Sequence, residues 1–359
     1  MIIGPDWLRL LRHRCLSARR EQQIKAAVIK GKVSLSIEEV PTPKPYDGEV
    51  LIEVKYCGIC GSDVHLIPDG ILSTGMIPGH EFCGTIAEIG PGVEGWKIGE
   101  RVTAVLYTTC GECYYCLQEQ KHHCTGIQIM AVDPGMPGAF ANFVKVRAQM
   151  LRRVPDEISD EEAATVEPCA VSLRAVRHSG MKAGDSTVIF GAGAIGLFAL
   201  QCARMEGAGP VYVVEPVESR AHVASTLGAD RVLCPKDLNV VGEIRRLTTE
   251  GADIAYLCTD APPVLQQAMD TVRKQGKVIV VAGGWSAEVV PQLLVWKEIM
   301  VKGSFMYLDD EFSHAMDLFR QKKITTKGMI SRIIPLEELP RMIQDLSNPV
   351  FDIKILVKP

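Results

Sequence analysis

Ser186-Thr-Val-Ile-Phe190, followed at once by Gly191-Ala192-Gly193-Ala194-Ile195-Gly196, decides how the second half of this chain folds. Its first five residues, rich in β-formers, read as a short buried strand. The glycines read as a tight turn into a helix that runs to about Glu206, and Val211-Tyr-Val-Val214 reads as a second strand that ends at Glu215. A lone G-x-G-x-x-G carries little weight. Strand, glycines, helix, strand and terminal acid in this order are the pattern of a dinucleotide-binding βαβ unit. Gly191 permits the turn, Gly193 lets backbone amides approach a pyrophosphate at the helix N-terminus, and Gly196 lets the helix pack closely on the sheet.

A carboxylate at the end of the second strand can accept hydrogen bonds from the adenosine ribose and would repel a 2′-phosphate, so Glu215 favours NAD over NADP. The competing reading of Glu215 is an exposed strand-end charge. Alternation of strand and helix continues through Arg231-Val-Leu-Cys234, Asp253–Cys258 and Lys277–Ala282, as a doubly wound parallel sheet requires. A helix is expected over Asp310–Gln321, capped by Asp309 or Asp310.

The earlier part of the chain, from Lys25 to about Arg153, has a different texture. Ala26–Lys30 and Glu49–Lys55 are β-formers, and Asp47-Gly48, Pro91-Gly92, Pro134-Gly135 and Pro137-Gly138 punctuate between short strands. The fold class is therefore α/β: a β-rich domain over 23–175 and 310–359, with a Rossmann domain over 176–309 inserted between its halves. The tail Phe351–Pro359 reads as an alternating strand that returns to the first domain. Residues 1–22 form an N-terminal extension, and its first twenty residues carry five arginines against one acid, Asp6. It reads as a frayed extension, with an organelle-targeting peptide as the alternative.

Two clusters in the β-rich part carry metal chemistry. Cys110, Cys113, Cys116 and Cys124, spaced x2, x2 and x7 on a polar, turn-forming segment, can converge tetrahedrally on one Zn²⁺ and leave no open position for substrate. Such a site stabilises a loop. The second cluster begins with Cys57-Gly-Ile-Cys60-Gly-Ser62-Asp63-Val-His65 and continues at Gly79-His80-Glu81. It supplies thiol, imidazole, carboxylate and hydroxyl groups. By itself the Cys57/Cys60 pair is compatible with a zinc site or with a redox dithiol.

Bulk properties exclude several classes. With 359 residues, 47% hydrophobic, 23% charged and 32 glycines, the chain is an ordinary globular protein of two-domain length. A net charge of -4 gives no electrostatic case for nucleic acid or an anionic membrane, and no apolar run is long enough to span a bilayer. Twelve cysteines without a secretory signal read as reduced thiols or metal ligands in a cytoplasmic protein. His122 and His123 are expected to be exposed. Cys15, Cys83, Cys169, Cys202, Cys234 and Cys258 are expected to be small buried residues.

Taken together, these stretches resemble the zinc-dependent medium-chain dehydrogenases from about Lys25 to Pro359. Gly79-His80-Glu81-x2-Gly84-x5-Gly90-x2-Val93 is similar to that family's zinc signature, and the four-Cys lobe to its structural site. Val166-Glu167-Pro168, Tyr212–Pro216 and Lys297-Glu298 add a likeness to the polyol branch, which includes the butanediol and sorbitol dehydrogenases. The resemblance implies a GroES-like catalytic domain, two zinc ions per chain and NAD. It makes Cys60, His80, Glu81 and Glu167 the ligands of the catalytic zinc, with Cys57 a neighbour; because a thiolate and two carboxylates outweigh the dication's charge, one glutamate is expected to be labile. It also implies that Ser62 and His65 relay the proton of a secondary alcohol through the nicotinamide ribose, while hydride passes to NAD⁺. Asp63 is expected to be structural or to support a ligand imidazole.

Against the family pattern, Ala194 stands where proline is common. Met306 stands where sorbitol dehydrogenases carry a substrate-facing arginine, which favours a smaller secondary alcohol or vicinal diol over a long sugar alcohol. Arg220 is placed either beside the adenosine or on a plain helix surface. Trp285 is placed either by the nicotinamide or in packing. The function expected is NAD-dependent oxidation of such an alcohol to the ketone by a homo-oligomer, tetramer or dimer, acting on a small molecule with no nucleic-acid or membrane partner. The alternatives are amino-alcohol oxidation resembling that of threonine dehydrogenase, and a non-catalytic dinucleotide-binding protein. Intact Cys60, His80, Glu81, Ser62 and His65 argue against the second.

Overall fold

The computed structural model of the protein describes residues 23–31, 34–282, 286–346 and 351–359. The extension over 1–22, with Cys15, and Trp285 lie outside the described residues.

Six parallel strands form the nucleotide-type sheet: β10 (Thr187–Phe190), β11 (Val211–Val214), β12 (Arg231–Leu233), β13 (Ala252–Leu257), β14 (Val272–Val280) and β15 (Met300–Gly303). Their order is β12-β11-β10-β13-β14-β15, with the first strand central and the sequence winding outward on both sides. That is the doubly wound order, and it puts the switch point beside β10, where a dinucleotide binds. Strands buried on both faces should read as unbroken apolar runs. Val188, Ile189 and Phe190 do, at no more than 1% exposure each.

The second large sheet is assembled from both ends of the described chain. β3 (Glu49–Gly58), β4 (Glu81–Ile89), β5 (Arg101–Ala104) and β9 (Leu151–Arg153) pair in order, and β8 (Phe143–Arg147) pairs β3. The remaining strands, β16 (Ile330–Pro335) and β17 (Lys354–Lys358), extend the other side, β17 lying antiparallel to β3 with Leu356 opposite Gly58 and Val357 opposite Cys57. The tail thus returns to the first sheet. It does not alternate, however: Lys354, Ile355, Leu356 and Val357 are all buried, because β17 is an interior strand covered on both faces. Two small antiparallel pairs, β1 (Gln23–Lys30) with β2 (Ser34–Pro41) and β6 (Tyr107–Thr108) with β7 (Gln128–Ile129), complete the strands.

Four helices matter for the site: α1 (Gly61–Leu66), α2 (Val166–His178), α3 (Ala194–Met205) and α4 (Asp309–Arg320). The expected cap of α4 is corrected. Asp309 is already its first residue, Leu308 is the cap, and the Glu311 carboxylate accepts the Leu308 N–H at 2.8 Å. Asp309 is instead engaged by the Tyr107 hydroxyl, which donates to it at 3.0 Å. Among the described residues no helix is long and apolar enough to cross a membrane.

Candidate metal and dinucleotide site

Strand pairing brings the metal-type side chains together. Gly58 on β3 lies opposite Glu81 on β4, so Cys60, two residues beyond the first strand, faces His80 and Glu81 at the start of the second. Cys60 Sγ, a His80 ring nitrogen and a Glu81 carboxylate oxygen all lie within 4.8 Å of one another, which suits one shared cation. The register also explains Gly58, where an added Cβ would stand 2.3 Å from Glu81 Oε2. Cys57, fully buried, stays outside this group.

Glu167 enters from the first turn of α2, buried but outside the close cluster. Burial pushes its carboxyl up to about 8; His80 opposes that rise, while Glu81 and Cys60 add to it. Burial and the Glu81 charge push the Cys60 thiol up to about 12, so without a cation it stays protonated. Burial alone would lower His80, but Asp63, Glu167 and Glu81 hold it above its ordinary value. Burial is the first cause of the Cys60 and Glu167 shifts, and the neighbouring acids add to it.

One member of the site was invisible to sequence reasoning. Lys354, on β17, is buried, and its ammonium donates to Glu81 Oε2 at 2.6 Å and to the Ile59 carbonyl at 2.8 Å. The pair is almost wholly desolvated, with side chains 5% and 1% exposed. One thiolate and two carboxylates around a dication would sum to -1; the Lys354 charge brings that sum to zero. The signal available was a lysine directly before the apolar run Ile355-Leu-Val357 of the tail.

Around the cluster, Asp63 is buried, and its Oδ2 accepts the Cys60 N–H at 3.0 Å and so fixes the turn that presents the thiol. Its influence on His80 is through charge. The Ser62 hydroxyl hydrogen-bonds Cys60 and favours the thiolate. His65, on α1, is half-exposed, and its Nε2 lies 3.0 Å from Asp260 Oδ2, which follows β13 across the cleft.

The dinucleotide loop lies as the motif requires. Gly191 has φ +97°, a left-handed region that a side chain strains, and a Cβ on Gly196 would come within 1.9 Å of the Gly191 carbonyl oxygen. Gly193 caps α3, with Ala194 and Ile195 opening the helix. Ser172 on α2 donates to the Ile195 carbonyl at 3.0 Å, tying the Glu167 helix to the loop. Glu215 is buried rather than an exposed strand end. One oxygen accepts the Ala192 N–H at 2.7 Å and the other the Val217 N–H at 2.8 Å. Arg220 donates to the Asp352 carbonyl at 2.6 Å, which turns it toward the segment before β17.

The four-Cys lobe also fits a metal. Four sulfurs bound at 2.3 Å in a tetrahedron lie about 3.8 Å apart. Cys110–Cys116, Cys113–Cys116 and Cys110–Cys124 are 3.9, 3.6 and 3.4 Å apart. The N–H groups of Cys110 and Gly126 both donate to Cys124 Sγ at 3.3 Å, as they would to a thiolate. Two expectations nearby fail. His122 is 2% exposed because the turn Lys121–His123 packs back onto the body, although His123 is exposed. Cys234 and Cys258 are only partly buried. Met306 packs in the core with φ +51°.

Residues 46–156 match the family model of the alcohol dehydrogenase GroES-like domain, and residues 194–321 match that of the zinc-binding dehydrogenases. The (R,R)-butanediol dehydrogenase of Bacillus subtilis is 36% identical over 358 residues, covering 94% of this chain and 100% of that protein. The sorbitol dehydrogenase of the same organism is 32% identical over 326 residues, covering 88% of this chain and 92% of that protein. A candidate zinc-binding dehydrogenase of Sinorhizobium meliloti, solved with NADP bound, superposes with a TM-score of 0.87 at 30% identity, covering 94% of this chain and 100% of that one. A dinucleotide cradle beside a soft-ligand metal cluster is the equipment of a zinc-dependent oxidoreductase working with a nicotinamide cofactor. On this near-full-length similarity the chain belongs to the zinc-dependent medium-chain alcohol and polyol dehydrogenases.

Proposed function

We propose that the protein transfers hydride between a secondary alcohol or vicinal diol and NAD, giving the ketone, with one zinc at the Cys60 cluster and a second in the four-Cys lobe. The observation that carries this reading is the convergence of Cys60, His80 and Glu81 with Glu167 beside them. Zn²⁺ held there supplies Lewis acidity, which makes an alcohol oxygen acidic near neutral pH. Cys60, His80 and Glu81 would hold the ion, and Glu167, outside their close group, would be the labile fourth ligand. Lys354 compensates the Glu81 charge. Ser62 passes the alcohol proton inward to outward, and half-exposed His65 hands it to solvent. The glycine-rich loop and the N-terminus of α3 would hold the pyrophosphate of the cofactor, which supplies the hydride acceptor.

NAD is favoured because a carboxylate at the end of β11, where Glu215 is held by the Ala192 and Val217 N–H groups, would repel a 2′-phosphate. Absorbance of the reduced cofactor, recorded with butanediols, other secondary alcohols and β-hydroxy amino acids, tests both parts. Diols should turn over best, and NADP⁺ should be poorer than NAD⁺ by roughly tenfold or more, the worth of about 1.4 kcal/mol of repulsion. Preference for the amino acids or for NADP⁺ would overturn the reading.

We further propose a homo-oligomer joined along β15. This strand is the outer edge of its sheet and exposes Met300 and Val301, and the helix before it exposes Val295 and Trp296. An open apolar edge of this kind is normally covered. Light scattering should give a dimer or tetramer, with Val301→Lys shifting it toward monomer.

A further inference from the structure

His65 and Asp260 reach each other from the two domains. His65 lies in the last turn of α1, whose cap residue Cys60 supplies the thiol of the metal cluster and is fixed by Asp63. Asp260 lies three residues beyond β13, which runs parallel to β10 with Leu257 beside Phe190. The backbone between is pinned to the dinucleotide loop. The Cys258 N–H donates to the Phe190 carbonyl at 2.9 Å, and a Cβ on Gly191 would meet the Cys258 carbonyl oxygen at 3.0 Å and Thr259 Cβ at 3.1 Å. Pro262 and Pro263 restrict the backbone just after Asp260, before a helix begins at Val264. Both side chains thus hang from anchored backbone, one beside the metal ligands and the other beside the cofactor loop.

The pair is exclusive. His65 Nε2 stands 3.0 Å from Asp260 Oδ2, and among the described residues neither side chain forms another ion pair. The side chains are 49% and 54% exposed, so as a surface salt bridge the contact adds little to stability. Its chemical position is what distinguishes it. With Nε2 turned to the carboxylate, Nδ1 is the nitrogen left to accept a proton. A proton arriving there makes an imidazolium whose charge already faces a carboxylate from the other domain.

We propose that Asp260 is the positioning residue of the proton relay, holding the His65 ring from the opposite wall of the cleft and balancing the charge that appears there when the alcohol O–H is broken. One proton leaves the alcohol oxygen, passes through Ser62 to His65 Nδ1 and goes on to water, while Asp260 keeps its own charge throughout. A base oriented by a third group is the arrangement that proton transfer favours. This role rests on the alcohol reading. It adds that the relay is completed across the cleft, with the base on one domain and its orienting acid on the other.

Rapid mixing of the zinc-loaded, NAD⁺-saturated enzyme with butanediol, followed by NADH absorbance and by a pH indicator in weak buffer, tests this before product release can mask it. In Asp260→Asn the single-turnover rates of hydride transfer and proton release should fall together by roughly fivefold, the scale of a half-exposed charge pair. Half-saturation by diol and by NAD⁺ should stay close to the wild-type values, and Asp260→Glu should restore most of the rate. In a His65→Gln background Asp260→Asn should cost nothing further, because the acid acts through the imidazole. In the enzyme without NAD, labelled on histidine for nitrogen NMR, the ring resonances of His65 are identified by their loss in His65→Gln and should move on Asp260→Asn. An unchanged single-turnover rate, the same loss recurring in the His65→Gln background, or His65 resonances that do not respond would each overturn the role of Asp260 and leave the alcohol reading standing. Absence of hydride transfer from every alcohol in the wild type would overturn both.

Discussion

Cys60→Ser is expected to leave a folded protein with about one zinc per chain in place of about two, and almost no dehydrogenase activity. The drop should be roughly a thousandfold or more, the order expected when several kcal/mol of charge stabilisation at the reacting oxygen is lost. Serine is nearly isosteric but does not ionise to a soft ligand, and without the thiolate the remaining imidazole and carboxylates should hold the ion far more weakly. The four-Cys lobe shares no side chain with this cluster, so its zinc should stay. Metal analysis beside circular dichroism reads the result. Full zinc content in the variant would overturn the assignment of Cys60, and loss of both ions would show that the two sites depend on each other.

Lys354→Met should have the next largest effect, and on stability rather than chemistry alone. Removing one member of a buried ion pair leaves the other charge uncompensated, which costs about 3–5 kcal/mol. Glu81, 1% exposed, has no route to water that would relieve it. The denaturant midpoint should fall, most of all in metal-stripped protein. In the double variant Lys354→Met with Glu81→Gln, most of the stability should return, because no unpaired charge remains. If the single and double variants unfold alike, the pair is not coupled and the charge reckoning at the site is wrong.

The residues themselves show why some of the site could be read from sequence and some could not. Gly191, Gly193, Gly196 and Glu215 announce themselves because backbone geometry restricts those positions to particular residue types at fixed local spacing. The four cysteines and His80-Glu81 are legible for the same reason: ligand type and spacing are local properties. Lys354 is 273 residues from its partner and meets it only through the β17–β3 pairing, which no short window contains. His122 was misjudged because a histidine in a polar lobe looks exposed until the lobe folds back. Asp309 was misjudged because an acid before a helix usually caps it, but here Tyr107, from another part of the chain, engages it. Asp260 beside His65 likewise joins two domains and has no local signature.

The placement of β17 has a consequence for how the protein is made. Ribosomes deliver the chain from its N-terminus, and domains generally fold as they emerge. β3 and β4, with Cys60 and Glu81, appear early, yet the strand that inserts beside β3 is synthesised only after all six strands of the parallel sheet. The nascent metal centre therefore waits, with Glu81 lacking its lysine, while the nucleotide domain is completed. A chain stalled after Gly328 would hold a finished nucleotide sheet and an unclosed metal centre, so cofactor-binding capacity is acquired in biogenesis before a charge-balanced zinc site.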